Sequence, residues 1–210
     1  MPQLESRLFV VTDRHQTNGR PLVPLLQRVL TVGAPAIQLR ERDLPAKELV
    51  TLAREVQAVM ASRRSQLLIN DRVDVALTME GVGVHLRSDS LPVSVARQLL
   101  GAQRLLGISV HAVEEAVRVE SQGVDYIVLG PIYETPTKQM FGPPLGIQTL
   151  EKACRLVRIP IIGIGGVTAA RVREMRSAGA FGVAVITAVL GAVNVESAAR
   201  ELLDAVTLLP

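Results

Sequence analysis

Aromatic residues are nearly missing from this 210-residue chain: it has no Trp, two Tyr and three Phe, 2% of the whole against 48% hydrophobic. Proteins that grip single-stranded nucleic acid stack bases on aromatic rings, so that class loses its usual platform. Cysteine is as scarce. The lone Cys154 excludes an internal disulfide and a cysteine-rich zinc site. Its aliphatic neighbours Ala153, Leu156 and Val157 mark a core thiol rather than a nucleophile. An excess of one charge is also absent, since 23 Lys and Arg are interspersed with 20 Asp and Glu for a net +3. The longest basic run is Arg63-Arg64, which makes no phosphate-backbone stripe and fits small anionic substrates better. Glu5 and Arg7 precede any apolar stretch, so no secretory leader is expected. Positions 177–195 carry no charge and formally reach membrane-span length, but Gly179, Gly182, Gly191 and Asn194 interrupt them. A buried strand, a turn and a helix are expected there instead, in a cytoplasmic protein. No linker or composition break divides the chain, and the expectation is one domain over 1–210.

What is abundant is Ala, Val, Leu and Ile, enough to bury a core and exclude general disorder. Short aliphatic runs recur at 8–12, 36–39, 66–69, 83–86, 105–109, 126–129, 159–164 and 182–186. They are nearly continuous rather than alternating, as strands covered on both faces require. Helical periods separate them. The clearest places Leu49, Leu52, Ala53, Val56 and Met60 on one stripe. Pro92 and Thr168 read as helix starters, Thr168 as a side-chain cap. Eight strand–helix units imply a parallel sheet, and eight most simply close into a (β/α)8 TIM barrel with an interior of branched aliphatics. A doubly wound open sheet would want a glycine fingerprint after its first strand, and Thr12-Asp13-Arg14 is not one.

In such a barrel every strand C-terminus faces one rim, where active sites are built. The residues expected there are polar: Thr12, Asp13 and Arg14; Gln38, Arg40 and Arg42; Asn70 and Asp71; His85; Ser109 and His111; then Thr135, Thr137, Lys138 and Thr187. Gly163-Ile164-Gly165-Gly166, ahead of a helix, suits a phosphate, because glycines admit backbone N–H groups to close anion contact. Asn70 and Asp71 offer oxygens to Mg²⁺, though Asp71 equally reads as a cap for a helix near Val73. Gln38, Arg40 and Arg42 alternate toward a common side. Two guanidiniums aimed into a barrel mouth are costly unless they meet anions, and Glu41 and Asp43 have the wrong parity to neutralise them. His15 reads as solvated and His85 as a packed barrel-end histidine. His111 reads either as a general acid/base or as a helix-capping residue.

Together these segments resemble the thiamin phosphate synthase / TenI family. The resemblance runs nearly end to end, through Val10-Val11-Thr12-Asp13, Gln38-Leu39-Arg40-Glu41-Arg42, Leu68-Ile69-Asn70-Asp71-Arg72-Val73-Asp74, Gly83-Val84-His85-Leu86, Gly107-Ile108-Ser109-Val110-His111, Leu129-Gly130-Pro131-Ile132, Thr135-Pro136-Thr137-Lys138 and Ile162-Gly163-Ile164-Gly165-Gly166. It implies a (β/α)8 barrel and one of two activities in thiamin biosynthesis. Synthases join an aminopyrimidine diphosphate to a thiazole phosphate with Mg²⁺ help. TenI-type proteins aromatise a thiazole carboxylate phosphate by moving a proton, without a metal. The resemblance implies that Gln38, Arg40, Arg42, Asn70, Ser109, Thr135, Thr137 and Lys138 bind the pyrimidine diphosphate. It implies that Gly165, Gly166, Ile186 and Thr187 bind the thiazole phosphate, with Asp71 a metal ligand.

One departure bears on the choice. Synthases usually carry Gly-Gln-acidic-Asp after the fourth-strand His-Leu, whereas this chain has Arg87-Ser88-Asp89-Ser90, leaving Ser90 where the second metal carboxylate belongs. Arg42 stands where Lys is common. On that ground the expectation is a TenI-like tautomerase (an isomerase) with His111 as its acid/base. The synthase, a transferase using Asp71 or Asp89 with Mg²⁺, is the alternative, and a non-catalytic thiazole or thiamin phosphate binder is third. The expected partner is a phosphorylated small molecule, with no nucleic acid and no membrane; a homo-oligomer is left open.

Overall fold

We describe a computed structural model of the protein over residues 3–61, 64–135 and 143–207. Its eight strands are β1 (Leu8–Val11), β2 (Ala36–Leu39), β3 (Leu67–Asn70), β4 (Gly83–Leu86), β5 (Leu106–Val110), β6 (Tyr126–Leu129), β7 (Ile161–Ile164) and β8 (Gly182–Val185). They pair in parallel in chain order, and β1 meets β8 to close the barrel. Around it run α1 (Leu22–Thr31), α2 (Ala46–Met60), α3 (Val73–Leu77), α4 (Val93–Leu100), α5 (Val113–Glu120), α6 (Gly146–Leu156), α7 (Ala169–Ser177), the short α8 (Thr187–Leu190) and α9 (Val195–Thr207). This is the (β/α)8 barrel that the aliphatic runs predict.

The stripe on α2 buries Leu49, Ala53, Val56 and Met60. Thr168 differs from expectation: it is extended ahead of α7, but its hydroxyl caps nothing. Its carbonyl instead accepts from Arg171 and Val172 N–H, so the backbone alone starts the helix. Burial pushes the half-buried Cys154 thiol up to about 11, which suits a packing residue and not a nucleophile. The uncharged stretch 177–195 folds as the end of α7, then β8 and α8. Among the described residues no helix is long and apolar enough to cross a membrane.

Strand alternation splits the core into two layers. Leu8, Val10, Ile37, Leu39, Ile69, Val84 and Leu86 face outward, against the helices. Phe9, Val11, Ala36, Leu68, Tyr126, Val128, Ile162 and Ala184 fill the interior. Rings therefore do enter the barrel, contrary to the all-aliphatic expectation. Phe9 and Tyr126 are fully buried, with centroids 5.3 Å apart. Gly107 on β5 makes the room: a Cβ there would stand 2.1 Å from Tyr126 Cζ.

Gly107→Ala should therefore destabilise the fold by about 2 kcal/mol or more, through overpacking. Pairing it with Tyr126→Leu should recover part of that loss. Urea unfolding of the two variants checks this, and an Ala variant as stable as the parent would contradict the packing described.

Candidate active site

Above the apolar interior the inward positions turn polar. Gln38, at the end of β2, donates from Nε2 to Asn70 Oδ1 at 2.9 Å, and both side chains are buried. His85 on β4 lies 3.0 Å through Nδ1 from the Tyr126 hydroxyl and 2.8 Å through Nε2 from Ser109 Oγ. Burial pushes this imidazole down to about 3, so it is neutral near pH 7. One of its nitrogens then donates while the other accepts, so the tautomer sets the direction of the Tyr126–His85–Ser109 chain. His85 is thus the packed histidine the sequence suggests.

The arginines divide by their partners. Glu41 is buried and accepts from Thr12 Oγ1 at 2.6 Å and from Arg14 N–H at 3.1 Å. Asp43 pairs with Arg14 and with the exposed His15. Both acids are thereby bonded to the first loop, and among the described residues neither forms an ion pair with Arg40 or Arg42. The nearest carboxylate to Arg40 is Asp13, at 3.9 Å. Burial lowers the Arg40 pKa, and the charge of Arg42 and more weakly that of Arg87 lower it further, while Asp13 and Glu41 raise it. Strand β2 ends at Leu39, so Arg42 reaches the site from the turn, not by strand alternation. It lines a cavity of about 120 Å³ with Asn70, Asp71 and Arg87.

Asp71 is not a helix cap: α3 begins after Arg72, with no side-chain cap. Asp71 adopts φ 65°, a left-handed backbone that Asp tolerates at about 1–2 kcal/mol. Its carboxylate faces the loop after β4, where Oδ2 is 3.2 Å from Arg87 Nε. Asp89 pairs with the same Nε at 3.1 Å. The residues present do not fit Mg²⁺. Both nearby carboxylates hold a guanidinium, and Ser90 brings no charge to the second ligand position. Among the described residues no group of three or more His, Cys, Asp or Glu could hold a metal ion.

Across the mouth, His111 is exposed beyond β5, and its Nδ1 donates to the Gly130 carbonyl at 2.6 Å. Its own N–H donates to Glu115 Oε2, and Ala112 precedes α5, so the imidazole is no cap. Gly165 and Gly166 follow β7 with φ 101° and 62°. A Cβ would meet Pro131 Cβ at 2.6 Å or the Glu134 carbonyl at 2.6 Å, so this turn takes glycine on both steric and conformational grounds. Ile186 and Thr187 open α8 on the neighbouring loop. Thr135 closes the described part of the loop after β6, while Thr137 and Lys138 lie outside the described residues. Arg87 is the site residue that reading strand ends alone does not single out.

A family model for thiamine monophosphate synthase matches residues 8–189. The chain belongs to that family. It is 42% identical over 207 residues to a thiamine-phosphate synthase of Moorella thermoacetica, covering 99% of this chain and 98% of that one. It is 40% identical over 197 residues to another from Roseiflexus castenholzii, covering 94% and 86%. A thiamine phosphate pyrophosphorylase structure from Pyrococcus furiosus superposes with TM-score 0.86 at 33% identity over 95% of each chain.

These relatives correct one expectation. They carry the synthase name, which overturns the TenI-like tautomerase reading and its isomerase assignment. Ser90 misled because a missing carboxylate suggests missing chemistry. The same loop brings a new positive charge in Arg87.

The His85 pKa carries a pH prediction. Its folded value, about 3, lies below the ordinary 6.5, so between those values the unfolded chain binds a proton that the native state does not. Stability should fall as pH drops through that window and stay unaffected by this group above it. His85→Gln should shrink the stability difference between about pH 7 and about pH 4.5 by about 2 kcal/mol. An unchanged difference in denaturant titrations would mean that the native imidazole is protonated.

Proposed function

We propose that this chain is a thiamine-phosphate synthase, which couples an aminopyrimidine diphosphate to a thiazole phosphate and releases pyrophosphate. The observation that carries the reading is the cationic rim, with Arg40, Arg42 and Arg87 gathered beside the buried Gln38–Asn70 amide pair. Likeness over almost the whole length of named synthases supports it. The fold supplies the mouth of a (β/α)8 barrel, where βα loops carry chemistry.

The reaction breaks the bond between the pyrimidine methylene carbon and the diphosphate oxygen. Its electron pair leaves with pyrophosphate, and the thiazole nitrogen supplies the pair for the new C–N bond. Negative charge accumulates on the departing oxygens, so fixed cations that meet it lower the barrier without reorganising. Arg40 is placed for that role because no acid lies closer than Asp13 and partial burial keeps water from screening it. Gln38 and Asn70 are fixed by each other and offer their remaining amide groups to the pyrimidine edge. Ser109, oriented by neutral His85, adds a hydroxyl. The thiazole phosphate is assigned to Gly165, Gly166, Ile186 and Thr187, and the family resemblance assigns the diphosphate to Thr135, Thr137 and Lys138.

Purified protein given both substrates should form thiamin phosphate and pyrophosphate in equal amounts. Arg40→Gln should lower kcat/KM for the diphosphate substrate by about 100-fold, the scale of losing one charged stabiliser. Tight binding of both compounds without product would contradict the proposal.

A further inference from the structure

One guanidinium occupies the place where the family resemblance puts a divalent cation. Arg87 Nε lies 3.2 Å from Asp71 Oδ2 and 3.1 Å from Asp89 Oδ1, and its backbone N–H reaches Asp71 Oδ1 at 3.4 Å. A single hydrogen bond, from Nη2 to Asp89 Oδ2 at 3.3 Å, completes its contacts. Nε is buried, yet neither carboxylate is aligned to accept its hydrogen. The guanidinium is therefore held by charge more than by directed bonds. Its side chain remains 38% exposed, lining the cavity that Arg42 and Asn70 share.

We propose that Arg87 is the resident cation of the diphosphate site, so that this protein holds pyrophosphate without a divalent metal. The inference rests on the synthase reading for the identity of the anion. Guanidinium is always charged, and its planar fork matches paired phosphate oxygens. Asp71, locked by its left-handed backbone, holds the charge at the mouth. Asp89 is 72% exposed, and an ion pair so open to water is weak. An incoming diphosphate displaces Asp89 and keeps Asp71 as the anchor. A metal ion placed on Asp71 would meet the guanidinium's repulsion at contact distance, with Ser90 offering no compensating charge.

The test titrates inorganic pyrophosphate into the full chain by calorimetry, with excess EDTA or with MgCl2. The affinities should agree within about threefold. Arg87→Gly should weaken binding in EDTA by about tenfold or more, as expected for losing a charge-assisted bond. Arg87→Lys, which keeps the charge and loses the fork, should fall between. The double variant Arg87→Gly with Ser90→Asp should bind pyrophosphate only with Mg²⁺, and should bind Mn²⁺, read as loss of the free-ion signal in paramagnetic resonance, where the parent leaves that signal unchanged. Thermal unfolding confirms that each variant is folded. Wild-type binding lost in EDTA, no pyrophosphate binding in either buffer, or an Arg87→Gly variant that binds as the parent does would each overturn the assignment. EDTA-resistant binding without thiamin phosphate formation would strike the synthase reading and leave Arg87 in its role.

Discussion

Gln38, Asn70, His85 and Ser109 lie where the apolar barrel interior gives way to the rim, and they are satisfied in pairs across neighbouring strands. The constraint is the cost of burying polar groups, about 1–3 kcal/mol for each one left unpaired. Pairing turns that cost into rigidity. The layer caps Phe9 and Tyr126 below and presents a fixed polar floor above. The Tyr126 hydroxyl shows the coupling most directly: the ring fills the barrel while its oxygen holds His85, which in turn holds Ser109. Packing at the centre of the fold thus sets the orientation of groups at the site.

Charge is distributed above that floor by a simple division. Arg14 takes the ion pairs of Glu41 and Asp43, which leaves Arg40 with the longer contact to Asp13. The loop after β4 adds Arg87 against Asp71. The mouth therefore holds cations whose acids are engaged elsewhere or shared, an arrangement that favours a leaving pyrophosphate over a proton transfer. This is also the physical sense of the correction from tautomerase to synthase. Weighing Ser90 alone counts a lost negative charge, whereas the loop as a whole exchanges a metal-binding acid for a built-in cation.

Much of the fold was legible because short aliphatic runs at regular spacing are hard to misread: β2, β4 and β6 span the residues that the sequence predicts. The other strands shift at their ends by a residue or two. Gln38, Asn70 and Ser109 were legible as rim residues because parallel strands send their C-terminal ends to one rim. Arg42 was legible for the wrong reason, since it sits past the end of its strand. Arg87 was hidden because its role depends on the backbone twist at Asp71 and on a loop path, neither of which periodicity encodes. Tyr126 in the interior was hidden because its space comes from Gly107 on the next strand, a pairing visible only once the register is known.

Which cation meets the diphosphate decides the chemistry of this mouth, and a crystal structure grown with pyrophosphate and MgCl2 examines that most directly. The predicted result is pyrophosphate oxygens on the Arg40 and Arg87 guanidiniums, with Asp71 still paired to Arg87 and no metal between them. A magnesium ion coordinated by Asp71 and bridging to pyrophosphate, with Arg87 turned out to solvent, would contradict it.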